Sequence, residues 1–308
     1  MLMEAPKKIT LVNRLCPGDI LVMSASIECL HQQYPKQYLV DVDTSCNSIY
    51  DNNPHITNLN GEGEKIQTSY DLIHQSNQRN VHFTQGYCDF LAKRLNIKLD
   101  CKVNRPYLYL SPDEKKWMNQ VEESTGYRGK FWLVSSGIKS DYTIKAWPFY
   151  QEVVEHYYGK ITFVQVGEAH HDHKPLKGAI NLIGKTNARQ LIRLAYHSAG
   201  GLGGVSFLHH IYAAYQKPFV CVASGMEPAT WERYNTEAYL TMQGRLPCCW
   251  EGGCWRKKII KENNEDKYCD YPIFNVAPDP YPKCMTMISS KDVINAIDSY
   301  YFGGILTY

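Results

Sequence analysis

Short apolar segments alternate with amphipathic segments along this chain, and the alternation runs through it twice. Strands are predicted at residues 9–13, 38–42, 70–73 and 107–110, and again at 131–135, 161–166 and 219–223. Helices are predicted at residues 20–34, 48–53, 87–95 and 112–124, and again at 147–156, 187–199, 206–215 and 291–300. Such alternation is typical of parallel sheets covered by helices. The sequence therefore predicts two doubly wound α/β domains, each with a parallel sheet, and a ligand cleft between them at the carboxyl ends of the strands.

The predicted boundary lies in residues 123–130, where Thr125, Gly126 and Gly129 interrupt the pattern. We expect an N-terminal domain over 1–126 and a C-terminal domain over 127–308, a division that a chain of 308 residues can accommodate. The last helix is predicted at about 291–301.

Charge and hydropathy narrow the class of protein. The 33 Lys and Arg residues nearly balance the 31 Asp and Glu residues, which argues against a strong polyanion binder. The sequence lacks a run of 18 apolar residues, so a membrane-spanning helix is not expected. The first residues lack the apolar core of a signal peptide, and we expect a cytoplasmic protein.

Asp19 follows the first predicted strand, in the segment Pro17-Gly18-Asp19. A carboxylate at this turn would lie at the mouth of the cleft, where it could accept the proton of an incoming hydroxyl. The alternative is that Asp19 is a helix N-cap.

Two segments of the second half have features of a phosphate site. Ser136 ends a predicted strand and Lys145 follows it with a positive charge; the alternative is a plain loop with a solvated lysine. The run Gly200-Gly201-Leu202-Gly203-Gly204 precedes a helix that begins near Ser206 and includes His210. We predict that this run is a loop whose amides face an anion, with Gly203, Gly204, Ser206 and His210 as ligand contacts. A structural turn is the alternative.

Cysteines are concentrated near the C-terminus. The total of 11 is odd and favours thiols or metal ligands over disulfides. Cys254, Cys269 and Cys284 are each separated by fourteen residues, and the pair Cys248-Cys249 precedes them. Segment 247–285 has few aliphatic residues, so a metal would explain how it folds. We predict a structural zinc or iron bound by Cys249, Cys254, Cys269 and Cys284, with Cys248 as the alternative to Cys249. Unliganded thiols are the other interpretation.

Several segments, taken in order, resemble the heptosyltransferase-like family of glycosyltransferases (family 9). They are Pro17-Gly18-Asp19-Ile20 with Tyr34-Pro35 and Asn53-Pro54, Asn181 to Thr186 with Gln190-Leu191, Ser206 to Ala214, and Lys217-Pro218 with Pro228 and Trp231. The resemblance covers nearly the whole chain. The cysteine-rich segment is similar to the iron-binding segment of autotransporter heptosyltransferases.

The resemblance implies a GT-B fold, in which two Rossmann-like domains face each other and the last helix, at 291–301, crosses back to the first domain. It also implies the transfer of a sugar from a nucleotide-sugar to a hydroxyl, with inversion and without a metal at the chemical step. It implies that Asp19 is the catalytic base, that Lys145 binds phosphate beside Ser136, and that Ser206 and His210 bind the donor. We also place Thr186 and Glu227 in the donor site.

The donor sugar and the acceptor stay open. The family often has an acidic residue where Val205 stands and a glycine where Phe207 stands. We therefore expect the donor to be ADP-heptose-like or another nucleotide-sugar. The acceptor is a glycan, a protein or a modified DNA base. A different interpretation is a non-enzymatic, metal-stabilised nucleic-acid-binding module that uses Arg256, Lys257, Lys258 and Lys261.

Overall fold

A computed structural model describes residues 5–68, 81–102, 104–117, 120–139, 144–250, 253–254, 269–274 and 280–302. The predicted strand at 70–73 and the basic residues at 256–261 lie outside this part of the chain. No helix in the described ranges is both long enough and apolar enough to cross a membrane.

The first sheet is parallel and lies near the N-terminus. In the described part of the chain it contains β1 (Lys7–Asn13), β2 (Tyr38–Thr44) and β3 (Glu64–Gln67), in the order β2-β1-β3. Helices α1 (Pro17–Gln33) and α2 (Phe83–Leu95) follow β1 and β3 in the chain and pack against each other. Proline suits the first position of α1, because its missing N–H would have no partner there.

The second sheet has the strand order of a dinucleotide-binding domain. Its parallel strands are β4 (Phe131–Ser135), β5 (Thr162–Gln165), β6 (Ile180–Asn181), β7 (Gly200–Gly203), β8 (Phe219–Ser224) and β9 (Glu237–Thr241). They are arranged β6-β5-β4-β7-β8-β9, which is the doubly wound order 3-2-1-4-5-6. The chain reverses direction across the sheet between β4 and β7, and ligands bind at such switch points.

The remaining elements connect or cover the sheets. The helices are α3 (Pro112–Lys116), α4 (Gln120–Thr125), α5 (Tyr150–His156), α6 (Ala188–His197), α7 (Phe207–Tyr215), α8 (Ala229–Glu232), α9 (Lys283–Thr286) and α10 (Ser290–Phe302). A small antiparallel pair, β10 (Pro272–Ile273) and β11 (Tyr281–Pro282), lies in the cysteine-rich segment.

Apolar packing joins the two sheets. One buried cluster includes Leu21 of α1 together with Leu208 and Ile211 of α7, so these helices pack across the two halves. A second cluster brings Val293 and Ile297 of α10 against the second sheet and α5. The crossing of α10 to the first domain, like the boundary at 126, stays a prediction.

Three predicted elements need correction. Residues 107–110 form no strand, because they bond to side chains of α1: Tyr107 N donates to Ser24 Oγ (2.7 Å) and the Tyr109 hydroxyl donates to Glu28 (2.7 Å). The helix predicted over 112–124 is divided into α3 and α4, since the backbone of Trp117 is extended. The helix predicted over 48–53 is a 3₁₀ turn over Asn47–Tyr50.

Candidate active site and cysteine clusters

Three predicted donor residues follow three neighbouring strands at the switch point. Ser136 directly follows β4, Ser206 follows β7, and Glu227 follows β8. The carboxyl ends of parallel strands meet at one edge of a sheet, so these residues converge on one region. The fold thereby concentrates them where the sequence predicted a donor cleft.

Asp19 lies half-buried in the first turn of α1. Its neighbour Gly18 packs against α7, where an added Cβ would lie 3.0 Å from the ring of His210. Burial raises the pKa of the Glu227 carboxyl, Lys145 opposes that shift, and the Asp19 carboxylate adds to it. Asp19 from the first half of the chain and Glu227 from the second are therefore close enough to interact electrostatically.

Lys145 joins two of the strand ends. Its ammonium donates to the Val205 carbonyl (3.1 Å) and to Glu227 Oε1 (3.3 Å). The lysine side chain is 23% exposed and the glutamate side chain 11%. A positive charge is thus held between the segments that follow β7 and β8.

The glycine run has a different structure from the predicted loop. Residues 200–203 are the buried strand β7, paired with β4 and β8. A Cβ on Gly200 would lie 2.5 Å from the Trp132 ring, and one on Gly201 would lie 2.6 Å from the Tyr212 ring. Glycine is required there because aromatic rings fill the space above the strand. Only the end of the run, at Gly204, lies beyond the strand, so the prediction of a loop over 200–203 is wrong, whereas the roles of Gly203 and Gly204 as ligand contacts stay predictions.

Ser206 is the N-cap of α7, but its side chain makes no capping hydrogen bond. Its Oγ is buried and lacks a hydrogen-bond partner among the described residues. The helix that follows has nine residues, and its N-terminus offers unsatisfied N–H groups and a positive dipole end. A buried hydroxyl beside a helix N-terminus and Lys145 is suited to an anionic ligand.

The sequence did not reveal a buried polar network behind α7. His210 Nδ1 hydrogen-bonds the Tyr234 hydroxyl (2.9 Å), and His210 Nε2 lies 3.8 Å from Glu232. His209 Nε2 lies 2.5 Å from Glu237. Burial lowers the pKa of His209 to about 3 and raises the pKa of Glu232 and Glu237.

This network holds His210 as a buried, neutral imidazole, because burial also lowers the pKa of that ring. The sequence signal was two adjacent histidines in an apolar helix, followed by acidic residues about twenty positions later. Their contact depends on how the side chains of α7 meet those of α8 and β9, which spacing alone does not predict.

Two predicted contacts lie nearer the edge of the region. Ser136 Oγ accepts a hydrogen bond from the buried Gln165 (2.8 Å). Thr186 precedes α6 and follows β6, which is two positions from β4 in the sheet. Its role as a donor contact stays a prediction.

The cysteine-rich segment borders the same region. A small cavity is lined by Cys248, Cys254, Cys269 and Cys284, with Ile144 and Met226 among its other walls. Ile144 and Met226 immediately precede Lys145 and Glu227 in the chain. The cavity therefore lies directly behind the ion pair that holds the lysine.

Cys249 has a different environment from Cys248. Its thiol is buried and donates to the carbonyls of Leu246 (3.3 Å) and Met242 (3.5 Å). Burial raises the pKa of the Cys248 thiol to about 11, and neighbouring cysteines add to this shift. The four sulfurs that line the cavity are not all within 4.8 Å of one another in the described structure.

Three cysteines that look scattered in the sequence meet in the first half of the chain. The sulfurs of Cys29, Cys88 and Cys101 all lie within 4.8 Å of one another. This thiol trio could hold a metal ion, and it is separate from the cysteine-rich segment.

Comparison with solved structures identifies the architecture. Neither a protein-family profile nor a curated protein sequence matches the chain. A family 9 glycosyltransferase structure from Veillonella parvula is similar, with a TM-score of 0.65, 14% identity, and coverage of 96% of this chain and 98% of that one. The chain has a GT-B-like fold.

Two heptosyltransferases from Escherichia coli extend this likeness. ADP-heptose lipopolysaccharide heptosyltransferase II aligns with a TM-score of 0.60 and 13% identity, over 95% of this chain and 98% of that one. The iron-containing dodecameric glycosyltransferase TibC aligns with a TM-score of 0.67 and 14% identity, over 97% and 77%. TibC was also solved in complex with ADP-D-β-D-heptose, and that structure aligns with a TM-score of 0.63. The predicted α/β fold class is confirmed.

Proposed function

We propose that this protein is an inverting glycosyltransferase that moves a sugar from a nucleoside diphosphate sugar to an acceptor hydroxyl. The observation that carries the proposal is that Asp19, from the first half of the chain, and Lys145, from the second, both act on the Glu227 carboxyl, and that Gly18, the neighbour of Asp19, packs against the start of α7. In this proposal the first half of the chain supplies a base and the second half supplies positive charge. The fold of the chain is similar to the folds of sugar-transferring enzymes.

In the proposed reaction the acceptor oxygen attacks the anomeric carbon as the bond from that carbon to the diphosphate oxygen breaks. Asp19 takes the proton of the acceptor hydroxyl, and the electron pair of the broken bond leaves with the nucleoside diphosphate. Attack opposite the leaving group inverts the anomeric centre. General-base catalysis of this kind contributes about 10²–10⁴-fold to a rate.

Lys145 and Ser206 are proposed to bind the diphosphate. The Ser206 hydroxyl and the first N–H groups of α7 would donate to phosphate oxygens, and Lys145 would compensate the charge that develops on the leaving group. Glu227 pairs with Lys145 in the structure, so we expect the diphosphate to replace this carboxylate as the partner of the lysine. The buried His210 supports the first turn of α1 through its contact with Gly18.

The proposed donor is ADP-heptose or a related nucleotide-sugar. TibC was solved with ADP-D-β-D-heptose, and heptosyltransferase II is named for ADP-heptose. Val205 and Phe207 replace residues that the family often uses near the donor sugar, so other sugars remain in the proposal. A glycan, a protein and a modified DNA base are the acceptors to test.

We also propose a structural iron or zinc in the cysteine-rich segment, held by Cys248, Cys254, Cys269 and Cys284. A cavity lined by four thiols suits the soft-ligand chemistry of both metals, and Cys249 is engaged elsewhere by backbone carbonyls. The ion would cross-link the segment, and with four thiolates it would have no open position for substrate. Its expected effect on the donor site is to fix Ile144 and Met226, the neighbours of Lys145 and Glu227.

The deciding experiment incubates purified full-length protein with a panel of ADP-, UDP- and GDP-sugars and measures nucleoside diphosphate release. We expect slow hydrolysis of one donor class, with water as the acceptor, and faster release when the right acceptor is added. If the panel yields no release while nucleic acid binds tightly, the binding-module interpretation replaces the enzyme.

A further inference from the structure

The thiol trio lies where three parts of the first half of the chain meet. Cys29 belongs to the C-terminal half of α1, Cys88 belongs to α2, and Cys101 lies in the segment that follows α2. Cys29 and Cys88 are fully buried, whereas Cys101 is partly exposed. The cluster is therefore enclosed on two sides and reachable from the third.

The sulfur positions suit thiolate ligands of one ion. Cys29 Sγ lies 3.7 Å from Cys101 Sγ, and all three sulfurs lie within 4.8 Å of one another. Thiolates about 2.3 Å from a tetrahedral ion are about 3.8 Å apart. The Cys88 thiol is hydrogen-bonded to both Cys101 and Cys29, so the three thiols face each other.

The segment that carries Cys101 also lies along α1. Asp100 exchanges two hydrogen bonds with the Gln33 side chain, at 2.6 and 2.9 Å. A third contact joins the Tyr107 amide to Ser24 Oγ, at 2.7 Å. An ion bound by the trio would thus connect α1, α2 and the segment that leads on to the second half of the chain.

We propose that Cys29, Cys88 and Cys101 bind one thiophilic d¹⁰ ion, Cu⁺ or Zn²⁺, which clamps α1 to α2 and to residues 96–111. Soft thiolate ligands select these ions. With Cu⁺ the three sulfurs complete a trigonal site, and with Zn²⁺ a water molecule on the exposed side of Cys101 completes four ligands. Each bound thiol releases its proton, so the ion replaces three S–H groups with three thiolates. The clamp fixes the helix whose first turn carries Asp19.

The test uses full-length protein, reduced, stripped of metal and kept without oxygen. Zn²⁺ and Cu⁺ are titrated in separate arms, each against a competing chelator, and the bound ion is counted by elemental analysis. We expect Cys101→Ser to bind one equivalent less than the wild type in at least one arm. The matched control, Cys46→Ser, changes a half-buried thiol of the same half of the chain and should retain the full count.

A second variant separates the trio from the cysteine-rich segment. Cys269→Ser should lose the ion of that segment and keep the ion of the trio, so the double variant with Cys101→Ser should lose both. Equal metal counts in wild type, Cys101→Ser and Cys88→Ala, in both arms, would show that the trio is ordinary packed thiols.

A measurement on the unmodified chain covers the case in which the variants fail to fold. Alkylation of Cys101 by iodoacetamide, followed by mass spectrometry, should slow at least tenfold when enough of the ion is added to fill both cysteine sites. Alkylation of the exposed Cys16 should change less. An unchanged rate at Cys101 in both metal arms would overturn the proposal.

Discussion

Replacing Lys145 by methionine should separate its role in donor binding from its role in stability. Methionine keeps most of the length of the side chain and removes the charge. At 3.3 Å and an effective dielectric constant of about 20, the attraction between Lys145 and Glu227 is about 5 kcal/mol, but the desolvation of both groups cancels much of it. The larger consequence is that Glu227 is left buried without its partner.

The expected loss of stability follows from the free energy needed to protonate the Glu227 carboxyl. At pH 7 a carboxyl with an ordinary pKa of about 4.3 requires about 4 kcal/mol to become neutral. Burial already raises the pKa of Glu227, so the free energy of unfolding should fall by less, about 1–3 kcal/mol. Loss of a charge-assisted hydrogen bond to the diphosphate should weaken nucleotide binding about 10–100-fold.

The assay is a double-mutant cycle read by denaturant unfolding and by calorimetry with the nucleoside diphosphate. Adding Glu227→Gln to Lys145→Met should restore most of the stability, because a neutral amide replaces the unpaired carboxylate, and should leave diphosphate binding weak. Lys160→Met, at an exposed lysine, is the control for loss of charge. Unchanged nucleotide affinity in Lys145→Met would refute the assignment of the phosphate site.

The remaining predictions concern packing, metal and pH. Gly201→Ala should lower the free energy of unfolding by about 1–3 kcal/mol, since the new Cβ meets a tyrosine ring of α7, whereas Gly204→Ala should be nearly neutral; denaturant unfolding of both checks this. Elemental analysis should show that Cys248→Ser loses the metal of the cysteine-rich segment and that Cys249→Ser retains it. Burial lowers the pKa of His82 in the folded chain to about 4. As the pH falls below about 6.5, His82 is therefore protonated in the unfolded chain but not in the folded chain, and the free energy of unfolding falls until about pH 4. The variant His82→Asn keeps an N-cap for α2. It should reduce the fall in the free energy of unfolding between about pH 6.5 and pH 4 by up to about 3 kcal/mol, as measured by unfolding at several pH values.

Most of the architecture could be predicted because it depends on local patterns. Strand β4 and helix α1 were recognised from runs of apolar residues of the right length, and the order of strands and helices indicated the doubly wound fold. The carboxyl-end rule then placed Glu227 at the ligand cleft, since it follows the predicted strand at 219–223, whereas Ser206 was recognised from the helix that it precedes.

The errors arise where long-range packing decides. The glycine run at 200–203 reads as a loop by propensity, but Trp132 and Tyr212 fill the space that side chains would take, and the run becomes a central strand. The thiol trio could not be predicted from spacing. Its members lie up to 72 positions apart in the chain and meet only through the packing of α1 on α2.

The sequence also does not distinguish the adjacent residues Cys248 and Cys249. Spacing favoured neither residue as a metal ligand. The 3₁₀ turn over Pro247–Cys249 directs one thiol to the cavity and the other to backbone carbonyls. Local backbone geometry, rather than residue type, makes this distinction.

The central claim is that Asp19 is the base of a sugar transfer, and the most direct test is the turnover of Asp19→Asn at saturating donor. The amide has nearly the same shape as the carboxylate but cannot accept the proton. Nucleoside diphosphate release should therefore fall about 10²–10⁴-fold, while calorimetry shows donor affinity within about threefold of the wild type. Wild-type turnover in Asp19→Asn would contradict the account.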